Sequence, residues 1–201
     1  MNVRLQYNLE FAGAVHIDGH LQLNQYQVNL NLETCTRDRG AINIAMDRLR
    51  FFVNVELANA VYINQSEHDL AEILQMIGAN VVTLPDVPVD QIVGLMLYCK
   101  LNAIMEGVMT VTALDICSSL GDDVWYEHTE EDAVGPFFDP GWWNLATTVH
   151  NDLDTADRSN KVVKVVPDSW AEYGLSWPDP VDKDQEKAHT VVYAKFPKHE
   201  N

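Results

Sequence analysis

The chain has 201 residues, 47% of them hydrophobic, and carries 13 Lys and Arg against 30 Asp and Glu for a formal net charge of −17. That apolar content supplies one good core, or a core with an appended lobe, and excludes disorder of the whole chain. The charge repels phosphate backbones and anionic membrane surfaces, so no direct nucleic-acid partner is expected, and the scattered acids read as a solvated surface instead of a nucleic-acid mimic.

From Val3 to Phe11, Val3, Leu5, Tyr7, Leu9 and Phe11 alternate with Arg4, Gln6, Asn8 and Glu10, the period-two signature of a half-buried strand. Asp18-Gly19 is a turn dipeptide, and a second strand follows to about Thr34, with Tyr26, Val28, Leu30 and Leu32 opposed by Gln25, Gln27, Asn29 and Asn31. Leu21 and Leu23 are out of phase with Tyr26, which predicts a bulge near Asn24. One face of this hairpin is polar but nearly uncharged.

Ile42, Ala45, Met46, Leu49, Phe52, Val53 and Leu57 recur at helical spacing and predict an amphipathic helix. Ser66 and Asp69 have the spacing of a capping box for a shorter helix carrying Leu70, Ile73, Leu74 and Ile77, which Gly78 can close and which reads as a surface insertion. Pro88 precedes a helix over 89–106 that is apolar on more than one side and therefore deeply buried. Val108 to Ser119 is strand-like, and the turn Leu120-Gly121-Asp122-Asp123 leads through Val124-Trp125-Tyr126 into a second hairpin.

Beyond Glu130 the texture changes to prolines and aromatic clusters, with short apolar runs at Val162 to Val166 and Val191 to Phe196. The expected division is a domain over 1–130 with an irregular, acidic, aromatic extension over 131–201 packed on it. Its many aromatics argue against free disorder. No run approaches the roughly 18 consecutive apolar residues of a membrane helix, the N-terminus lacks a cleavable apolar block, and Cys35, Cys99 and Cys117 form an odd set without paired spacing. A cytoplasmic protein without a membrane partner is the expectation.

No phosphate-binding loop, dinucleotide fingerprint, HExxH, GxSxG or paired CxxC is present. Asp122 and Asp123 with His128, Glu130, Glu131 and Asp132 have the oxygen-rich chemistry of a hard-cation site but match no calcium loop, so a solvated turn is the preferred reading. Trp142-Trp143 is read as pinning the extension in preference to stacking on a base or sugar.

The predicted order of strand hairpin, two helices and strand hairpin is the α+β plan of the tunnelling fold, and over residues 3–128 the wording agrees with it. FAGAVH at Phe11 to His16 resembles the FxAAH motif of 6-pyruvoyl- and carboxy-tetrahydropterin synthases, and LNQYQVNLNLE resembles HGHNYxVxVxxE. INIAMDRLRFFVNVELANAVYIN resembles the segment ending LDHxxLN, PVDQIVGLML resembles PTAENIAxxI, and LDICSSLGDDVWY resembles VxVxETxxxxAxY. The chain also resembles uncharacterised proteins of tailed bacteriophages.

The resemblance implies where chemistry should stand. Of the three zinc-binding histidines of the synthases, only His16 is matched; Gln22, Leu23 and Asn24 take the HGH positions, and a His16–His20 metal pair requires breaking the strand alignment. Ala58 and Asn59 replace the aspartate-oriented histidine of the proton relay, and Ser118 replaces the glutamate that anchors the pterin, with Asp115 on the opposite face of its strand. The expectation is therefore a fold kept without its reaction, with no catalytic residue, metal or cofactor. A homo-oligomer through strand edges, acting on another protein and encoded by a bacteriophage, leads. The alternatives are a vestigial pocket of His16, Gln22, Asn24, Asn59 and Ser118 holding a pterin, purine or other planar heterocycle, and an active zinc-dependent pterin synthase-type lyase.

Overall fold

The computed structural model describes residues 3–122, 124–132, 137, 141–147 and 170–178. In it the N-terminal alternation becomes one long antiparallel hairpin, β1 (Arg4–Ile17) and β2 (His20–Thr34). The connecting pair Asp18 and Gly19 takes φ of 51° and 78°, as a tight two-residue hairpin turn requires. Pairing is continuous from Arg4↔Glu33 to Ile17↔His20, so the bulge expected near Asn24 is not formed. The reason is reach: the hairpin outruns the core, and Leu23, out of phase with Tyr26, is left 85% exposed. The irregularity lies instead in β5 (Met109–Ser118), where Thr112 is passed over between the pairs Asn31↔Ala113 and Leu32↔Val111.

Helix α1 (Arg39–Phe51) begins at Asp38, whose carboxylate accepts the Gly40 and Ala41 N–H groups at 2.8 and 3.3 Å. It widens into a π-helical turn over Phe52–Leu57, so the expected helix is present with a change of pitch. A parallel unit follows: β3 (Val61–Asn64), α2 (His68–Met76) and β4 (Val81–Leu84). The two short strands were not expected from the sequence. Nor does the Ser66–Asp69 capping box form, because the Ser66 N–H donates to Asn64 Oδ1 at 2.9 Å and the helix starts after Glu67 without a side-chain cap. Helix α3 (Asp90–Met105) ends at Glu106 in the left-handed region, and β6 (Tyr126–Thr129) closes the second strand pair.

The protein is thus of the α+β class, with one mixed six-stranded sheet in the order β4-β3-β1-β2-β5-β6. One face carries the main core, where Tyr26, Val28 and Leu30 of β2 and Val111, Leu114 and Ile116 of β5 meet Leu49 of α1 and Leu97 and Leu101 of α3. Successive strand residues face opposite ways. Accordingly Tyr62 and Val82 enter that core, while Ile63 and Val81 meet Ala71 and Leu74 of α2 on the other side. Away from α2 this second face is open and rich in carboxamides, among them Gln6, Asn8, Gln25 and Gln27.

Of the extension, Trp142, Trp143 and Trp170 are buried in the main core. Trp142 Nε1 donates to the Thr83 carbonyl at 2.9 Å. Two buried cations hold these segments. Lys100 of α3 donates to the carbonyls of Trp142, Leu145 and Thr147. Arg48 of α1 donates to the Leu175 carbonyl at 2.9 Å, with its guanidinium 3.8 Å from the Trp177 ring centroid. The apolar runs 162–166 and 191–196 lie outside the described residues. Among those residues no helix is long and apolar enough to cross a membrane.

Candidate functional site

The positions to which the sequence assigns a ligand fall into two separate places. Hairpin register decides the first separation. Gln22 pairs with Val15 and Asn24 with Gly13, whereas His16 pairs with Leu21, so His16 faces the open side and Gln22 and Asn24 the helix-covered side. The spacing explains it: in FxAAH the histidine stands four residues after the phenylalanine and shares its face, but His16 is one residue further from Phe11. Val15, fully buried, is the residue that stands four after Phe11 and shares its face. His20 pairs with Ile17 and so faces away from His16 as well.

On the covered side, Asn24 and Ser118 meet at the start of α3. Asn24 Oδ1 accepts from Ser119 Oγ at 3.0 Å and from the Leu120 N–H at 3.2 Å. Ser118 Oγ lies 2.7 and 2.8 Å from the two oxygens of Asp90, the first residue of α3, and donates to that carboxylate. All three side chains are buried. Tyr26 lies beside them with its hydroxyl buried and without a well-formed hydrogen bond among the described residues; burial raises its pKa, the nearby Asn24 side chain opposes the shift and the Asp90 charge reinforces it. Asn24 Oδ1 and Ser118 Oγ are thus committed to joining β2, β5 and α3, and the Ser118 proton in particular belongs to Asp90.

On the open side, His16 Nδ1 pairs with Glu67 Oε2 at 2.5 Å, next to the first turn of α2. Together with Ser66, His68, Asp69 and Leu70 the pair lines a cleft of about 460 Å³. A carboxylate-oriented imidazole can accept or pass a proton, and the cleft could admit a small molecule. Asn59 is in neither place: it is exposed, with φ of 62°, and its N–H donates to the Ala12 carbonyl at 2.6 Å. Gln22 is exposed near the hairpin tip.

Among the described residues no three His, Cys, Asp or Glu side chains are arranged to hold a metal ion. Asp123 lies outside them, and the Asp132 carboxylate accepts from the Thr129 N–H and hydroxyl at 2.8 and 3.1 Å. Sequence reasoning missed Glu67 and Asp90, the partners that give His16 and Ser118 their settings. Asp90 had a visible signal, an acid in the first turn of an otherwise apolar helix. Glu67 had none.

No protein family matches this chain. No curated protein matches it either. Among solved structures it is similar to an uncharacterized protein from Wolinella succinogenes, at 12% identity over 65% of this chain and 99% of that one, with a TM-score of 0.47. It is also similar to 6-pyruvoyltetrahydropterin synthase from Plasmodium vivax, as a catalytic-residue mutant at 13% identity over 64% of this chain and 97% of that one with a TM-score of 0.41. A second structure of that enzyme gives 12% identity over the same shares, 64% and 97%, with a TM-score of 0.39.

Proposed function

We propose that this chain is a non-catalytic protein of tunnelling-fold type that assembles with copies of itself through strand edges and acts by protein–protein contact. The observation that supports the reading best is the outer edge of β1, which β3 covers only at Ala14 and Val15. An uncovered edge of a long strand is a template for pairing with another chain. The settings of Asn24 and Ser118 agree with lost chemistry, since their polar atoms serve the fold. Light scattering at working concentration tests the assembly: a multiple of the 22.7 kDa protomer mass is expected, and a particle of protomer mass sinks it.

A second reading, a binder of a pterin, purine or other planar heterocycle, is favoured by the cleft beside His16 and Glu67. A thermal-shift screen of pterins and purines tests it, because a specific ligand raises the melting temperature by mass action. Absence of any shift at saturating ligand removes this reading and leaves the first intact.

A further inference from the structure

Three hydrogen bonds set which residues of β1 turn their backbone outward. The Val3 carbonyl accepts from Thr34 of β2 at 3.0 Å, whereas the Ala12 carbonyl accepts from Asn59 at 2.6 Å and the Ala14 N–H donates to Ala60 at 2.9 Å, both on the other side. Odd residues of β1 therefore bond to β2, and even residues face outward. The outward backbone groups of Arg4, Gln6, Asn8 and Glu10 have no strand partner among the described residues.

Side chains along that edge read Arg4-Leu5-Gln6-Tyr7-Asn8-Leu9-Glu10, a sequence symmetric about Tyr7 with the charge inverted at its ends. We propose that two copies of this chain pair antiparallel along β1, about a two-fold axis at Tyr7. Arg4 then lies opposite the partner's Glu10, Gln6 opposite the partner's Asn8, Leu5 opposite the partner's Leu9, and Tyr7 opposite its own copy. This is an isologous contact, the same patch used twice.

Backbone parity fits that register. The even pairs are those whose N–H and C=O groups point outward, so each exchanges both hydrogen bonds, and the Tyr7 pair falls at a non-hydrogen-bonded position, where facing side chains come closest. Leu5, Tyr7 and Leu9 are only partly covered in the protomer, so pairing buries apolar area that the single chain leaves wet. Charge selects among registers. Centring the axis on Gln6 or Asn8 keeps the parity but loses both Arg–Glu pairs. In a chain of net charge −17, an edge carrying one cation and one anion spares the two copies direct repulsion. Arg4 is 88% exposed, and its long 3.9 Å contact with Glu33 of β2 leaves most of the guanidinium in solvent, open to a second carboxylate.

The inference rests on the homo-oligomeric reading and is tested so that the two can fail separately. With the exposed Cys35 changed to Ser, mild oxidation of Tyr7→Cys should give a disulfide-linked dimer, while Asn8→Cys, facing the partner's Gln6, should link far less. Arg4→Glu places like charges opposite each other and should weaken self-association about tenfold or more. The double variant Arg4→Glu/Glu10→Arg should restore it; since Glu33 still opposes the new Glu within the chain, the rescue reports on the contact between copies. An oligomer that neither links through Tyr7→Cys nor responds to Arg4→Glu overturns the β1 pairing and leaves assembly through other edges standing. Preferential linking of Asn8→Cys overturns the register, and a particle of protomer mass overturns both readings.

Discussion

Lys100 Nζ donates to the Trp142 carbonyl at 3.0 Å, tying the middle of α3 to a residue of the extension through a side chain with no exposed surface. The same ammonium reaches the carbonyls of Leu145 and Thr147 at 2.8 Å each, so its three protons meet three acceptors on one short segment. Lys100→Ala leaves those carbonyls unsatisfied and opens a void under Phe52 and Trp142. We expect a loss of about 3 kcal/mol or more in urea unfolding, with a red shift of tryptophan emission as Trp142 is uncovered. Unchanged stability and emission refute this role.

Burial lowers the Lys100 pKa from 10.5 to about 7, with the Glu56 charge working against the shift. Between those values the unfolded chain binds more protons than the folded one, so stability rises with pH. The contribution is flat below about 7 and complete above 10.5. The urea midpoint should therefore climb from neutral pH toward pH ~9.5, and Lys100→Met should remove that part of the slope. A variant that keeps the full slope places its origin elsewhere.

Arg48 performs the corresponding task for 170–178 by geometry more than by charge. Its Nε and Nη1 donate to Leu175, Ile104 and Glu106, and the guanidinium plane lies against Trp177 and Trp170. Lysine has neither the fork nor the plane. Arg48→Lys is accordingly expected to behave like Arg48→Ala, each costing about 2–3 kcal/mol and opening 170–178 to limited proteolysis. Wild-type protease resistance in the lysine variant contradicts the stacking argument.

Gly94 carries no side chain because β6 and β5 press on α3 there. A Cβ at this position meets His128 Nε2 at 2.5 Å and Ile116 Cγ2 at 2.6 Å. Burial already lowers the His128 pKa, against the charges of Asp132 and Asp115, and its Nε2 has no hydrogen-bond partner among the described residues. Gly94→Ala should cost about 1–3 kcal/mol despite the better helix propensity of alanine, with faster amide exchange in 126–129. A stabilised variant shows that the strand pair yields.

Much of this architecture was legible because its period was clean. The alternation from Val3 to Phe11 and from Gln25 to Leu32 marks strands half covered by core, and the apolar run of 89–106 marks a helix covered on most sides. β4 was hidden for the opposite reason: all four residues from Val81 to Leu84 are buried, so no alternation marks them, and β3 is as short. At the candidate sites, the opposite facing of His16 and Asn24 could be counted from the extra residue after Phe11. That His16 would meet Glu67, and Ser118 Asp90, could not be counted, because the partners stand 51 and 28 residues apart along the chain and only folding joins them.

The Asp90–Ser118 contact offers a last test, of whether those polar atoms serve the fold. Ser118→Ala strips a buried carboxylate of its hydroxyl donor and should cost about 2 kcal/mol. In an Asp90→Asn background the same change removes only a neutral hydrogen bond and should cost about 1 kcal/mol or less. Coupling of about 1 kcal/mol in the double-mutant cycle is therefore expected from urea unfolding. Strict additivity would mean that the two side chains touch without depending on each other, and Ser118 would again be open to a ligand.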